Sequence, residues 1–126
     1  MQLDNSAFER ARRFLFAHGR ALDQALFRHH FEAPCVDEVV AKLKQFQNSD
    51  GGFGHALEPD FRLPESSVMA TTIALQIAVS LNLNSAHPLV ADALEYFEDQ
   101  FDASTNAWPA APASVNNYPH APWWHQ

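Results

Sequence analysis

Two loops hold the side chains that could do chemistry. His55, Glu58 and Asp60 follow a glycine-rich turn, and Asn116, Asn117, His120 and His125 lie further on among Tyr118, Trp123 and Trp124. Gathered at one end of a helical cavity, these imidazoles and carboxylates could donate a proton or hold a metal weakly. The aromatic lining opposite would attract cations through its π faces. Used locally instead, Glu58 and Asp60 cap or solvate their loop, and His55 and His120 are hydrogen-bonded loop residues. The spacing fits both uses. The candidate catalytic residues are therefore His55, Glu58, Asp60 and His120, with no metal-ligand set assigned and no cofactor indicated. His18, His29, His30 and His87 fall at helix ends or surfaces, and the adjacent rings of His29 and His30 diverge on a helix. Cys35 has no second cysteine for an internal disulfide. Its place after Pro34, where a helix begins, suits a half-buried helix residue better than a reactive thiol.

The elements that must position these groups read as helices, with nothing convincingly extended. Asn5 to His18 puts Phe8, Ala11 and Leu15 on one side and Arg10, Arg12 and Arg13 on others, with Asp4, Asn5 or Ser6 available as cap. Gly19 either breaks this helix or lets the stripe of Leu22, Ala25, Leu26 and His29 continue to about Phe31. A second clear helix runs from Cys35 to Phe46, and Pro59 and Pro64 make Ala56 to Pro64 a connecting loop. The helix over Ser67 to Leu81, capped by Ser66 or Ser67, is apolar around nearly its whole circumference. Only Thr72, Gln76 and Ser80 form a polar line, so burial on most sides is expected. Pro88 starts a last helix whose apolar face (Leu89, Val90, Ala93, Leu94, Phe97, Phe101) opposes Asp92, Glu95, Glu98 and Asp99. Outer amphipathic helices alternating with an inner apolar one are what a two-layer ring or solenoid requires.

The corner Gln47-Asn48-Ser49-Asp50-Gly51-Gly52-Phe53-Gly54 ends one helix, supplies glycines for positive φ and turns an aromatic back toward the body. A degenerate copy follows about fifty residues later, where Leu94 and Phe97 precede Asp102 to Trp108 without the glycines. Together with the apolar helix, these corners resemble the repeat of the terpenoid-cyclase and protein-prenyltransferase superfamily. The closest resemblance is to a bacterial prenyltransferase- and squalene-cyclase-like subgroup. Its DGGFG turn matches Asp50 to Gly54, its GHxLEPD-like loop matches Gly54 to Asp60, and its PHAPWW segment matches Pro119 to Trp124. The resemblance implies an all-α fold, an α/α toroid of paired outer and inner helices. It also implies that Gln47 and Phe53, with Trp108 in the second copy, staple helix ends to turns. The acid motif DxDD of the cyclases is absent, and no cysteine stands in the second half to complete the prenyltransferase zinc set.

At most five helices fit before Phe101, too few to close a ring, so a partial toroid is expected over residues 1–106. Residues 107–126 form a segment rich in proline and tryptophan that docks on the helices. In a complete ring such a segment would cover a cavity mouth, which makes Phe53, Trp108, Tyr118, Trp123 and Trp124 the candidate ligand-binding aromatics. An apolar inner helix without a full ring implies self-association or the remainder of a longer chain. At 126 residues with 47% hydrophobic, the chain is long enough for one core. A net charge of −7 argues against nucleic acid as partner. The start lacks a basic stretch followed by an apolar run, and no stretch reaches the roughly 18 apolar residues of a membrane span. A cytoplasmic protein is expected. Two functions follow from the resemblance: an enzyme or fragment binding an isoprenoid or other apolar ligand, or a non-catalytic scaffold that retains only the fold.

Overall fold

A computed structural model describes residues 4–126. It is helical, with five α-helices and no strand among the described residues: α1 (Asn5–His18), α2 (Ala21–Phe31), α3 (Val36–Leu43), α4 (Val68–Ser80) and α5 (Pro88–Asp99). Short 3-10 turns cover Lys44–Phe46, Ala113–Asn117 and Pro122–Trp124. The chain forms two compact units, one ending at Leu43 and the other spanning Lys44–Gln126. None of the described helices is long and apolar enough to cross a membrane.

In the first unit, the Asp4 carboxylate accepts the Ala7 N–H at 2.7 Å and starts α1. Gly19 breaks the helix instead of carrying it onward. Its backbone is extended, and a β-carbon there would sit 2.6 Å from the Leu15 carbonyl oxygen. α2 then begins on Arg20, whose N–H is accepted by Asp23 at 3.0 Å while its guanidinium grips the same carboxylate. That hydrogen-bonded guanidinium holds Asp23 below the ordinary carboxylate range. Leu22, Ala25, Val39 and Leu43 are buried between α2 and α3, and Phe27 packs against Phe8, Phe16 and Phe31. Cys35 donates its N–H to His29 Nδ1 at 3.0 Å, and burial pushes its thiol above the ordinary value. An inert thiol is the result. The α-helix expected to reach Phe46 stops at Leu43, and a tighter turn takes the last three residues.

In the second unit, Ser67 caps α4 by accepting the Ala70 N–H at 3.1 Å. Asn82, at φ 57°, ends the helix, with the Leu83 N–H on the Ala78 carbonyl. α4 packs on α5, but its burial differs from expectation. Ala70, Thr71, Ala74 and Ala78 are the buried residues, whereas Val79 is 73% exposed. Small residues at four-residue spacing admit a close neighbour. Val68, Met69, Ile73, Leu75 and Ile77 are half-buried, with Met69 packed on the cluster around Phe61, so Val79 is the one large apolar side chain of α4 left exposed.

The loop between the glycine corner and α4 is more than a solvated connector, because Leu57, Phe61 and Leu63 in it are fully buried. Phe61 and Leu63 form one core cluster with Ala111 and Val115, against which Met69, Tyr118 and Trp124 pack. Each corner carries an isolated antiparallel bridge, Gln47 with Phe53 and Asp102 with Ala107, but Asp102 and Ala107 exchange their own backbone hydrogen bonds whereas the first pair is flanked by those of its neighbours. The first uses Gly51 at φ 84°, and the second, lacking glycine, uses Asn106 at φ 52°.

Candidate functional site

The glycine corner is built around Asn48. Its amide donates to the Pro64 carbonyl at 3.1 Å and to Ser66 Oγ at 3.0 Å, while its Oδ1 meets His55 Nε2 at 2.8 Å. Ser66 in turn donates to Asp50 at 2.7 Å, and Asp50 accepts the Gly52 N–H at 3.0 Å. Gln47 donates to the Gly51 carbonyl at 2.8 Å and to the Leu89 carbonyl of α5 at 3.2 Å, stapling the turn to the start of that helix. Glycine is required by contact here. A β-carbon on Gly51 would lie 2.3 Å from the Asp92 carbonyl oxygen, and one on Gly52 would lie 2.7 Å from the Tyr96 ring. Burial, with the Asp50 charge as a lesser cause, pushes the Tyr96 hydroxyl up to about 12. This residue therefore stays neutral and serves packing.

The second set of candidates meets around Phe61. Arg62 donates its N–H to the Pro119 carbonyl and Ala121 donates to the Asp60 carbonyl, both at 2.8 Å, so residues 60–62 pair antiparallel with 119–121. His120 stands opposite Phe61 in this pairing. Its Nδ1 lies 2.6 Å from the Tyr118 carbonyl, and its Nε2 lies 3.4 Å from His125 Nδ1. Glu58 accepts the Asp60 N–H at 3.1 Å. The chain thus draws Glu58, Asp60 and His120 into one region through local and backbone bonds, whereas the His55 ring meets Asn48 in the glycine corner. Among the described residues no three His, Cys, Asp or Glu side chains form a group able to hold a metal ion.

The candidate aromatics separate by exposure. Phe53 is fully buried; its N–H is held by Thr71 Oγ1 and its carbonyl receives the Ser67 N–H. That residue is core, with no face open to a ligand. Trp124 lies edge-on to Phe61 at 5.1 Å between ring centroids, and Tyr118 packs on the same cluster. Trp108 donates its indole N–H to the Phe97 carbonyl at 2.8 Å and rests against Phe101. Trp123 is 69% exposed.

An open, apolar groove lies between α4 and α5. Thr72, Leu75, Gln76 and Val79 of α4 and Phe97 of α5 line a volume of about 330 Å3. Two members of the polar line, Thr72 and Gln76, are part of its wall. The signal was present in the side chains between them, since Leu75 and Val79 share that face. A polar depression lined by Lys44, Asp50, Gly51, Asp92 and Glu95 lies at the glycine corner. Comparison of the chain with protein-family models, with curated proteins and with solved structures finds no match.

Proposed function

We propose that this chain is a helical binding module of the terpenoid-cyclase and protein-prenyltransferase toroid kind, which takes an apolar, isoprenoid-like chain along α4 and α5 without turning it over. The groove walled by Leu75, Val79 and Phe97 carries the reading. Its volume of about 330 Å3 is in the range of small-molecule pockets. Apolar walls gain roughly 25 cal/mol for each Å2 they remove from water. Phe97 supplies an aromatic lining, and Gln76, exposed and lining the same groove, carries an amide that a polar head could meet.

Binding without chemistry is favoured by how the polar candidates are employed. His55 is engaged by Asn48, Glu58 by the Asp60 N–H and His120 by the Tyr118 carbonyl. The sequence also lacks the DxDD acid and a second cysteine. That both corners are closed by an antiparallel bridge, Gln47 with Phe53 and Asp102 with Ala107, is compatible with a degenerate repeat and with the partial toroid.

A second reading is an interaction surface, favoured by the exposure of Val79, Leu94 and Phe101. Here a second copy, or the remainder of a longer chain, covers the helices. Thermal unfolding in the presence of farnesol, farnesyl diphosphate or squalene separates the two. The binding module is stabilised by the neutral ligands and releases no product; the scaffold is stabilised by none and runs as an assembly in light scattering. The net charge of −7 ranks farnesol above its diphosphate.

A further inference from the structure

We propose that His120 and His125 form a two-histidine site for a borderline divalent cation, Zn2+ foremost. The inference goes beyond the groove and does not depend on it. A carbonyl oxygen can only accept a hydrogen bond, so the 2.6 Å contact with Tyr118 puts the His120 proton on Nδ1 and leaves the lone pair on Nε2. That lone-pair nitrogen faces His125 Nδ1 at 3.4 Å, with the two rings only 15° from parallel. As a hydrogen bond this distance is slack, since an N–H donor ordinarily sits at about 2.9–3.0 Å from its acceptor. It suits metal ligation better. Two nitrogens held at about 2.0–2.1 Å from one tetrahedral Zn2+ are separated by roughly 3.3–3.4 Å.

The ring orientation is also the one that metal-bound imidazoles use, with the second ring nitrogen donating to a backbone carbonyl. Both residues are held in place. His120 is flanked by the two backbone bonds that join 60–62 to 119–121. His125 follows Trp124, which lies on Phe61, and precedes Gln126, whose N–H and carbonyl are both bonded by the Asn116 amide at 3.1 and 2.9 Å. Asn116 is thus a positioning residue. Water or an added ligand would complete the coordination. The surroundings attract cations, because Lys44–Gln126 contains only Lys44 and Arg62 against nine carboxylates, so the whole net charge of −7 lies in this unit. By contrast, His29 and His30 stand at 82° to each other, and His29 Nδ1 already accepts the Cys35 N–H.

The test is calorimetric titration of the full chain with Zn2+, together with the visible absorption of Co2+ bound in its place. The expected result is one ion per chain and a tetrahedral Co2+ spectrum. His125→Ala and His120→Ala should each weaken binding by tenfold or more, Asn116→Ala by about tenfold, and His30→Ala not at all. Because His125 is exposed, its variant keeps the fold, which circular dichroism verifies, and it decides the matter if His120→Ala does not fold. Absence of Zn2+ binding, or binding of equal strength in His125→Ala, overturns the proposal.

Discussion

Thr71 and Phe53 are tied across 18 positions of sequence: the buried Phe53 N–H donates to Thr71 Oγ1 at 2.9 Å, and that hydroxyl donates onward to the Ser67 carbonyl at 2.8 Å. One side chain on α4 thus receives the glycine corner, and the bridge of Phe53 with Ser67 closes beside it. The corner and α4 are therefore tied directly to each other. Thr71→Val keeps the shape and removes the acceptor, leaving a buried N–H without a partner. A loss of about 1–3 kcal/mol in urea unfolding is expected, with Thr71→Ser close to wild type.

The two corners should respond unequally to changes at their left-handed residues. Gly51→Ala places a β-carbon against the Asp92 carbonyl at φ 84° and should cost more than about 1 kcal/mol. Asn106→Gly, at φ 52° on an exposed turn, should stay within about 0.5 kcal/mol of wild type. Paired urea titrations check both.

Asp102 gives the second corner its acid sensitivity. Hydrogen bonds from Ser104, then Thr105, lower its carboxyl from 3.8 to about 2. A group whose folded value lies below its unfolded one adds stability that is complete above the unfolded value and is lost as pH falls through the folded value. The contribution should therefore fade between about pH 4 and pH 2. Asp102→Asn should flatten the fall of the urea midpoint across that window and leave its shape near neutrality unchanged.

The anchor of the tail is Phe61. It is buried with Leu63, Ala111 and Val115 and carries Trp124 on its edge. Phe61→Ala should cost about 3–5 kcal/mol and release the 60–62 pairing. A red shift of tryptophan emission before the main unfolding transition would report that release; coincident transitions in wild type and variant would count against the tail being held there.

Much of the helical order was legible in the sequence, and the reasons are local. The limits of α1, the Ser67 cap of α4 and the Pro88 start of α5 follow from capping chemistry and periodicity that neighbouring residues decide. Gly19 was ambiguous because composition does not reveal that its space is taken by the Leu15 carbonyl. α4 was legible only in part: periodicity counts apolar residues, but full burial falls on the small Ala70, Ala74 and Ala78, while the larger side chains are half-buried and Val79 is exposed. The burial of Leu57, Phe61 and Leu63 depends on partners about fifty residues away, such as Ala111 and Val115, which no local pattern shows. The polar candidates were found by type, yet their grouping was set by the pairing of Phe61 with His120, leaving His55 with Asn48.

The occupancy of the α4–α5 groove is tested most directly by photolabelling the chain with a diazirine-bearing farnesol and mapping the adducts by mass spectrometry. Adducts on the Val68–Ser80 peptide and on Phe97, competed away by unlabelled farnesol and lost in Leu75→Asp, are the predicted result. Adducts confined to the 107–126 segment, or labelling at Val68–Ser80 that Leu75→Asp leaves intact, would contradict it.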